Sequence, residues 1–368
     1  MKIERIDVTH HRLPLDPPFR ASWDTRPRTE FDATVVRVVT DEGLVGIGSG
    51  DTMLGFERHA ALFVGQNPLD LDRHNRVLDN LAFHYSRYWP LDLALWDLAG
   101  KILGQPVWRL AGGRSDRTRL YASSGTLRGP QEMADAALSF LEAGFPAMKI
   151  RFHRGDWRDD IKALEAVRGA VGDRLTLMVD CNQGWRMPWD TERPWSLKDA
   201  LAVARELETL DIYWMEEPLH RADYAGMAAL RDAVDIRIAG GEMNREVFEF
   251  DTIIERRCLD VLQPDAALTG GIGGLKRIAE AAVAANLIFT PHTWSNGLGV
   301  AANAHLACGA GNPPFLEFPF DPPEWSAERR DYMLSETLAY EDGWMVLGEA
   351  PGLGVALDED RLAKTRIG

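Results

Sequence analysis

The chain has 368 residues, 45% hydrophobic and 26% charged, a composition that folds as a globular protein with room for one large domain and a smaller one. A formal net charge of −15 and the lack of a Lys/Arg-rich run argue against a nucleic-acid partner, and no apolar run nears the roughly 18 residues of a membrane span. The segment "MKIERIDVTHH" lacks the apolar core of a signal peptide, and Cys181, Cys258 and Cys308 show no CxxC spacing, so a cytoplasmic protein with neither a disulfide framework nor a zinc site is expected.

In chain order, residues 31–50 ("FDATVVRVVTDEGLVGIGSG") hold two β-rich runs about Asp41-Glu42-Gly43, which predicts an antiparallel hairpin with Gly43 at positive φ. From about residue 55 to 104 the pattern is helical. It is clearest in "PLDLALWDLAGKILG", with Leu91, Leu95, Ala99 and Ile102 on one face and Gly104 as the stop. This reads as an α+β unit. After "AGGRSDR" come eight short apolar runs: 119–123, 147–152, 175–180, 212–218, 236–242, 261–265, 287–292 and 315–318. Helical windows such as "PQEMADAALSFLEAG" separate them, each about long enough to cross back over a parallel sheet. Eight strand–helix units predict a (β/α)₈ barrel, with a doubly wound open sheet as the weaker alternative. The expected division is a barrel at 119–320 and an α+β cap at 1–118. Residues 321–368, with the hairpin-like "LAYEDGWMVLG", are assigned back to the cap.

Seven of the eight runs end on groups capable of chemistry: Lys149 and Arg151, Asp180 and Asn182, Glu216 and Glu217, Glu242, Asp265, His292, and Glu317. In a barrel these ends converge on one face, where active sites lie. Helix capping accounts for one isolated acid but not for the series, since Glu is a poor N-cap and Lys and Arg cannot accept a backbone N–H. Asp180, Glu216 and Glu242 end three successive strands. Without a cation they repel, and an oxygen-only set suits a hard ion, Mg²⁺ better than a closed Ca²⁺ cage. Lys149 and Arg151 stand on one side. On the other, Asp265 and His292 end adjacent strands, an arrangement in which a carboxylate orients an imidazole.

The segments "MKIRF", "MVDCNQGW", "WMEEPL", "AGGEMN", "LQPDA", "TPHTW" and "FLEF", in that order, resemble the enolase superfamily, and within it the mandelate racemase subgroup. The resemblance spans essentially the whole chain and implies a modified barrel under an α+β cap. It implies Mg²⁺ on Asp180, Glu216 and Glu242, a dyad of His292 and Asp265, and Glu317 against the substrate's carboxylate. It further implies abstraction of the proton α to that carboxylate through an enediolate, chemistry that enolase-superfamily sites perform with a Lys or His base and magnesium. The subgroup rests on His292, because muconate-cycloisomerase-type relatives carry a lysine where this chain has Ala267.

One departure directs the choice of reaction. The family's second strand commonly reads Lys-x-Lys, and here it reads Lys149-Ile150-Arg151. A guanidinium is an unsuitable base. Racemisation needs a base on each face of the α-carbon, whereas dehydration runs with His292 alone as base and then acid. A sugar-acid dehydratase is therefore expected, with a racemase, epimerase or cycloisomerase as the rival and a non-catalytic binding protein as a remote one. Glu317, among other acids, is expected to have a raised pKa and to donate a hydrogen bond. The loops at 14–27 and 50–59 resemble the family's specificity loops, so Arg20, Trp23, Arg26 and His59, with Asn182, are candidates to bind substrate. The expected partner is a small carboxylate, and a homo-oligomer is expected.

Overall fold

The computed structural model describes residues 1–50, 53–113, 115–311 and 313–367. Three antiparallel strands, β1 (Ile3–Phe19), β2 (Arg28–Thr40) and β3 (Val45–Gly50), open the chain. The hairpin forms as expected, with Gly43 at φ 84° closing the turn between β2 and β3. Strand β1 had no sequence signal. Pro14, Pro17 and Pro18 and the polar run at 9–12 hide its alternation, and proline is tolerated because only two residues pair on its outer side.

The helices Leu71–His84 and Trp89–Leu103 cover this sheet, the second ending on Gly104 in the left-handed conformation. It lies directly on the glycines of β3: a Cβ at Gly46 or Gly48 would come within 2.2 Å of the carbonyl oxygens of Ala94 or Pro90. Two buried acids of that helix join the layers. Asp97 accepts from Ile47 N of β3 and Leu353 N of the tail, and Asp92 from Ile272 N of a barrel helix, all at 2.8 Å.

Eight parallel strands follow: β4 (Arg117–Ser123), β5 (Ala147–Arg151), β6 (Thr176–Asp180), β7 (Trp214–Glu216), β8 (Arg237–Gly240), β9 (Val261–Leu262), β10 (Ile288–Phe289) and β11 (Leu316–Pro319). They pair in sequence from β4 to β10, and β11 returns to β4. No ladder joins β10 to β11 among the described residues. Side chains span that seam instead, with Thr290 Oγ1 donating to Phe315 O at 2.7 Å and Thr293 Oγ1 to Glu317 O at 2.8 Å. Tyr121, Met178, Trp214, Val261 and Phe315 fill the interior beneath the strand ends.

The tail departs from expectation in one element. Its hairpin, β12 (Tyr340–Glu341) and β13 (Trp344–Val346), pairs with the barrel strand β4 rather than the cap. Strand β4 starts three residues before its pairing with β11 begins, and β13 takes up that free edge at Arg117–Arg119. Other parts of the tail do reach the cap: Leu353 N donates to Asp97, Glu359 pairs with Arg37, and β14 (Arg366–Ile367) pairs with His10 and His11 of β1. No described helix is long and apolar enough to cross a membrane.

Candidate active site

The strand ends converge as a barrel requires. Arg151 and Asp180 are ladder partners, as are Asp180 and Glu216, so the rim order follows from the parallel register. Glu242 lies two residues beyond β8, after Gly241 at φ 113°. Asp180, Glu216 and Glu242 are buried and offer oxygens within 4.8 Å of one another. Asp180 Oδ1 accepts from Asn182 N at 2.8 Å, Glu216 Oε2 from Gln263 at 2.9 Å and Glu242 Oε1 from Trp185 at 2.9 Å. Glu242 Oε2 is buried with no hydrogen-bond partner among the described residues. Burial, with Asp180, Glu317 and Glu242 added against Lys149, pushes the Glu216 carboxyl up to about 8. Such a set, anionic, oxygen-only and with one oxygen unsatisfied, fits a hard divalent ion of the magnesium type.

Two walls flank these acids. On the β5 wall, Lys149 Nζ is bonded to Glu216 Oε1 at 2.6 Å and Glu317 Oε1 at 2.7 Å and is wholly buried. Burial alone would depress its pKa, but Glu216 and Glu317 overcome it and hold the ammonium charged. Arg151 pairs with Asp180 through Nη1 and donates from Nε to Ser124 O at 2.9 Å and from Nη2 to Ser123 Oγ at 3.2 Å.

On the opposite wall His292 Nδ1 lies 2.9 Å from Asp265 Oδ2. The other oxygen of Asp265 accepts from Ala267 N at 2.8 Å and Asn303 Nδ2 at 2.9 Å, so the carboxylate is fixed and takes the Nδ1 proton. That leaves Nε2 toward the cavity, at 3.5 Å from Glu242 and 3.9 Å from Glu317, too far for a hydrogen bond to either. Burial lowers the imidazole's pKa, and Glu242, Glu317 and Asp265 more than reverse this, to about 9.

Glu317 reverses an expectation. Burial raises its pKa, but Lys149, His292 and Arg151 prevail and hold it well below the usual carboxylate range. Its oxygens accept from Ser123 Oγ and Thr293 N, both at 2.8 Å. It is an ionised acceptor and not a hydrogen-bond donor.

A cavity of about 830 Å³ opens over these groups, lined among others by Arg151, Asn182, Glu242, Asp265 and His292 from the barrel and Trp23 and Arg26 from the cap. Asn182, at φ 49°, has a buried Nδ2 without a partner among the described residues. Arg26 stacks on Trp189 with its guanidinium 4.5 Å from the ring centroid. Two of the expected binding residues lie elsewhere. Arg20, directly after buried Phe19 at the end of β1, is exposed and lines a separate depression beside Arg128 and Glu324. His59 packs on Tyr85, ring centroids 4.5 Å apart, away from the cavity. Residues 51 and 52 of that second loop lie outside the described residues.

Four residues at the site escaped the sequence reading. Ser123 is the last residue of β4, the one run to which no chemistry was ascribed, yet its hydroxyl joins Arg151 and Glu317. Trp185 and Trp294 stand inside the motifs "MVDCNQGW" and "TPHTW". Asn303 is in the middle of the helix Gly297–Ala310 and carries no local signal.

Residues 132–361 match the family model described as enolase C-terminal domain-like, and residues 3–112 match the mandelate racemase / muconate lactonizing enzyme N-terminal domain. The chain belongs to the mandelate racemase/muconate lactonizing enzyme family of the enolase superfamily. Within this family it is 27% identical over 382 residues to the N-succinyl-L-Arg/Lys racemase of Bacillus cereus, covering 100% of this chain and 98% of the relative. It is 30% identical over 390 residues to the L-talarate/galactarate dehydratase of Salmonella typhimurium, covering 100% and 92%. The crystal structure of L-talarate dehydratase from Polaromonas sp. JS666 complexed with Mg and L-glucarate superposes with a TM-score of 0.84 at 28% identity, covering 100% of this chain and 98% of that one. Relatives at this distance include a racemase and dehydratases, so membership establishes an enzyme of the superfamily and leaves its reaction to be argued from the site.

Proposed function

We propose that the protein is a Mg²⁺-dependent dehydratase that converts a sugar acid to a 2-keto-3-deoxy acid. The observation that carries this reading is the inequality of the two walls. Arg151 lines the cavity, while Lys149 is wholly buried with its ammonium closed between Glu216 and Glu317. The β5 wall thus presents fixed positive charge and no base, and the opposite wall presents one imidazole nitrogen free to exchange a proton.

Mg²⁺ on Asp180, Glu216 and Glu242 would supply positive charge to the substrate's carboxylate and offset the pull of Glu242 on His292, bringing the imidazole toward neutrality. The residues of the chain do the rest. His292 Nε2 takes the α-proton, and the electrons of the C–H bond move into the carboxylate as an enediolate. Arg151 at the cavity, with the buried ammonium of Lys149 behind it, places positive charge against the charge that develops, which accelerates the step because the attraction is strongest in the transition state. The imidazolium, held by Asp265, then gives its proton to the β-hydroxyl, which leaves as water. The resulting enol becomes the 2-keto-3-deoxy acid. Racemisation would need a second base on the face that Arg151 occupies.

A screen of aldonic and aldaric acids with Mg²⁺ tests this reading, with 2-keto product as the signal. A positive acid with loss of signal in excess EDTA supports it. Inversion at the α-carbon without keto product would replace it with a racemase or epimerase.

A further inference from the structure

Trp23 belongs to the cap, yet its indole lies against a charged side chain of the barrel. The Arg151 guanidinium is 2% exposed and all three of its nitrogens are engaged, by Ser124 O, Ser123 Oγ and Asp180. Its carbon lies 4.8 Å from the Trp23 ring centroid and 5.5 Å from that of Trp294. The two indoles meet edge to face at 4.9 Å and 74°, so the guanidinium sits in an aromatic corner.

That corner is itself built firmly. Trp294 Nε1 donates to Ser123 Oγ at 2.8 Å, the same hydroxyl that holds Arg151, and its ring stacks on Phe19 at 5.7 Å. Both rings press on the backbone at Gly125, where a Cβ would lie 2.6 Å from Phe19 and 2.7 Å from Trp294. The residue before Trp23 has both backbone groups bound by the barrel: Ser22 N donates to Gly125 O at 2.8 Å, and Ser22 O accepts from His153 Nδ1 at 2.6 Å. Docking of the cap loop therefore fixes where the Trp23 indole lies.

We propose that Trp23 and Trp294 are positioning residues that clamp Arg151 across the β5 wall, so that the guanidinium cannot turn aside and open a path from Lys149 to the cavity. The catalytic consequence rests on the dehydratase reading: a lysine shut behind a fixed arginine gives the α-carbon one base and one proton path. It also gives the cap loop a part in the chemistry besides closing the cavity.

Proton–nitrogen correlation spectra of arginine Nε–H groups in the Mg²⁺-loaded protein test the clamp, with the Arg151 signal identified by its absence in Arg151→Lys. In the wild type that signal is displaced by ring currents and protected from exchange. Trp23→Leu should move it toward the position of solvent-facing arginines and speed its exchange about tenfold, the loss of a desolvated cation–π contact expressed as a rate. Trp23→Phe keeps a ring and should retain most of both effects. A Trp23 that only fills space would lower the melting temperature without moving the Arg151 signal, and that result in folded Trp23→Leu overturns the proposal. If Trp23→Leu does not fold, Trp23→Met and Trp294→Leu decide in its place, and an Arg151 signal unaltered in either overturns the proposal. Because no turnover is read, the clamp and the dehydratase reading fail independently.

Discussion

The β5 wall and the β9–β10 wall both carry buried ionisable groups, but they dispose of their charge in opposite ways. Lys149 and Arg151 have their donors bound to acids and backbone or hydroxyl oxygens, which fixes their protons. His292 is bound on one nitrogen only, and its Nε2 stands 3.5 Å from the nearest carboxylate. On the proposed reading one wall holds charge and the other moves a proton. The difference teaches that burial and ionisability do not by themselves make a base; an unsatisfied atom facing the cavity does.

The largest test of this contrast is His292→Asn. It should remove turnover and α-proton exchange by at least about 10²–10⁴, the contribution of a positioned acid–base group, while Mg²⁺ binding measured by calorimetry stays within a few fold. Loss of the metal together with turnover would mean that the imidazole acts as a ligand. Lys149→Met comes next. The lost charge should lower kcat by about 10²–10³, as for removal of one oxyanion donor, yet leave slow exchange through His292 measurable. If this variant loses exchange altogether while His292→Asn keeps it, the base lies on the β5 wall. Asn303→Ala is a smaller change on the other wall: Asp265 loses one of its two side-chain partners, and kcat should fall about tenfold, the scale of one charge-assisted hydrogen bond. An unchanged kcat would show that Asp265 orients His292 without Asn303.

A pH series sharpens the same comparison through the empty and filled metal site. Glu216, at about 8 against an ordinary 4.5, and His292, at about 9 against 6.5, both bind protons more tightly in the folded metal-free protein than in the unfolded chain. Their stabilisation is complete at low pH and is lost as pH rises from 4.5 to about 8 for Glu216 and from 6.5 to about 9 for His292. Mg²⁺ competes with these protons and binds better as they leave. The melting temperature gained on adding Mg²⁺ to EDTA-treated protein should therefore grow between about pH 5 and 9. A gain that is flat or falls with pH would remove the coupling of the metal to these two groups.

Most of the rim was legible because a barrel converts sequence position into spatial position: a residue at a strand end must face the site, whatever lies between. Ser123 obeys the same rule and was passed over only because a lone serine at a strand end is chemically quiet until its neighbours are known. The cap loops obey no such rule. Arg20 and His59 were expected at the cavity by loop position alone, and the side chains turn elsewhere, since direction there depends on how the loop docks. Trp23 does reach the cavity, but its contact with Arg151 joins residues of different domains and has no local signature. The ionised state of Glu317 was hidden for a similar reason, because a count of acids does not reveal that Lys149 lies 2.7 Å away. The tail hairpin followed an unpaired strand edge that only the register exposes.

The central claim is that one wall moves the proton and the other only holds charge. It is tested most directly by incubating the Mg²⁺-loaded wild type in D₂O with the analogue of a turned-over sugar acid that lacks the β-hydroxyl, and following the α-position by NMR and chiral analysis. The account predicts exchange of the α-proton for deuterium with configuration retained, since His292 both removes and returns it. Deuterium incorporation with inversion would place a second base on the face of Arg151 and contradict it.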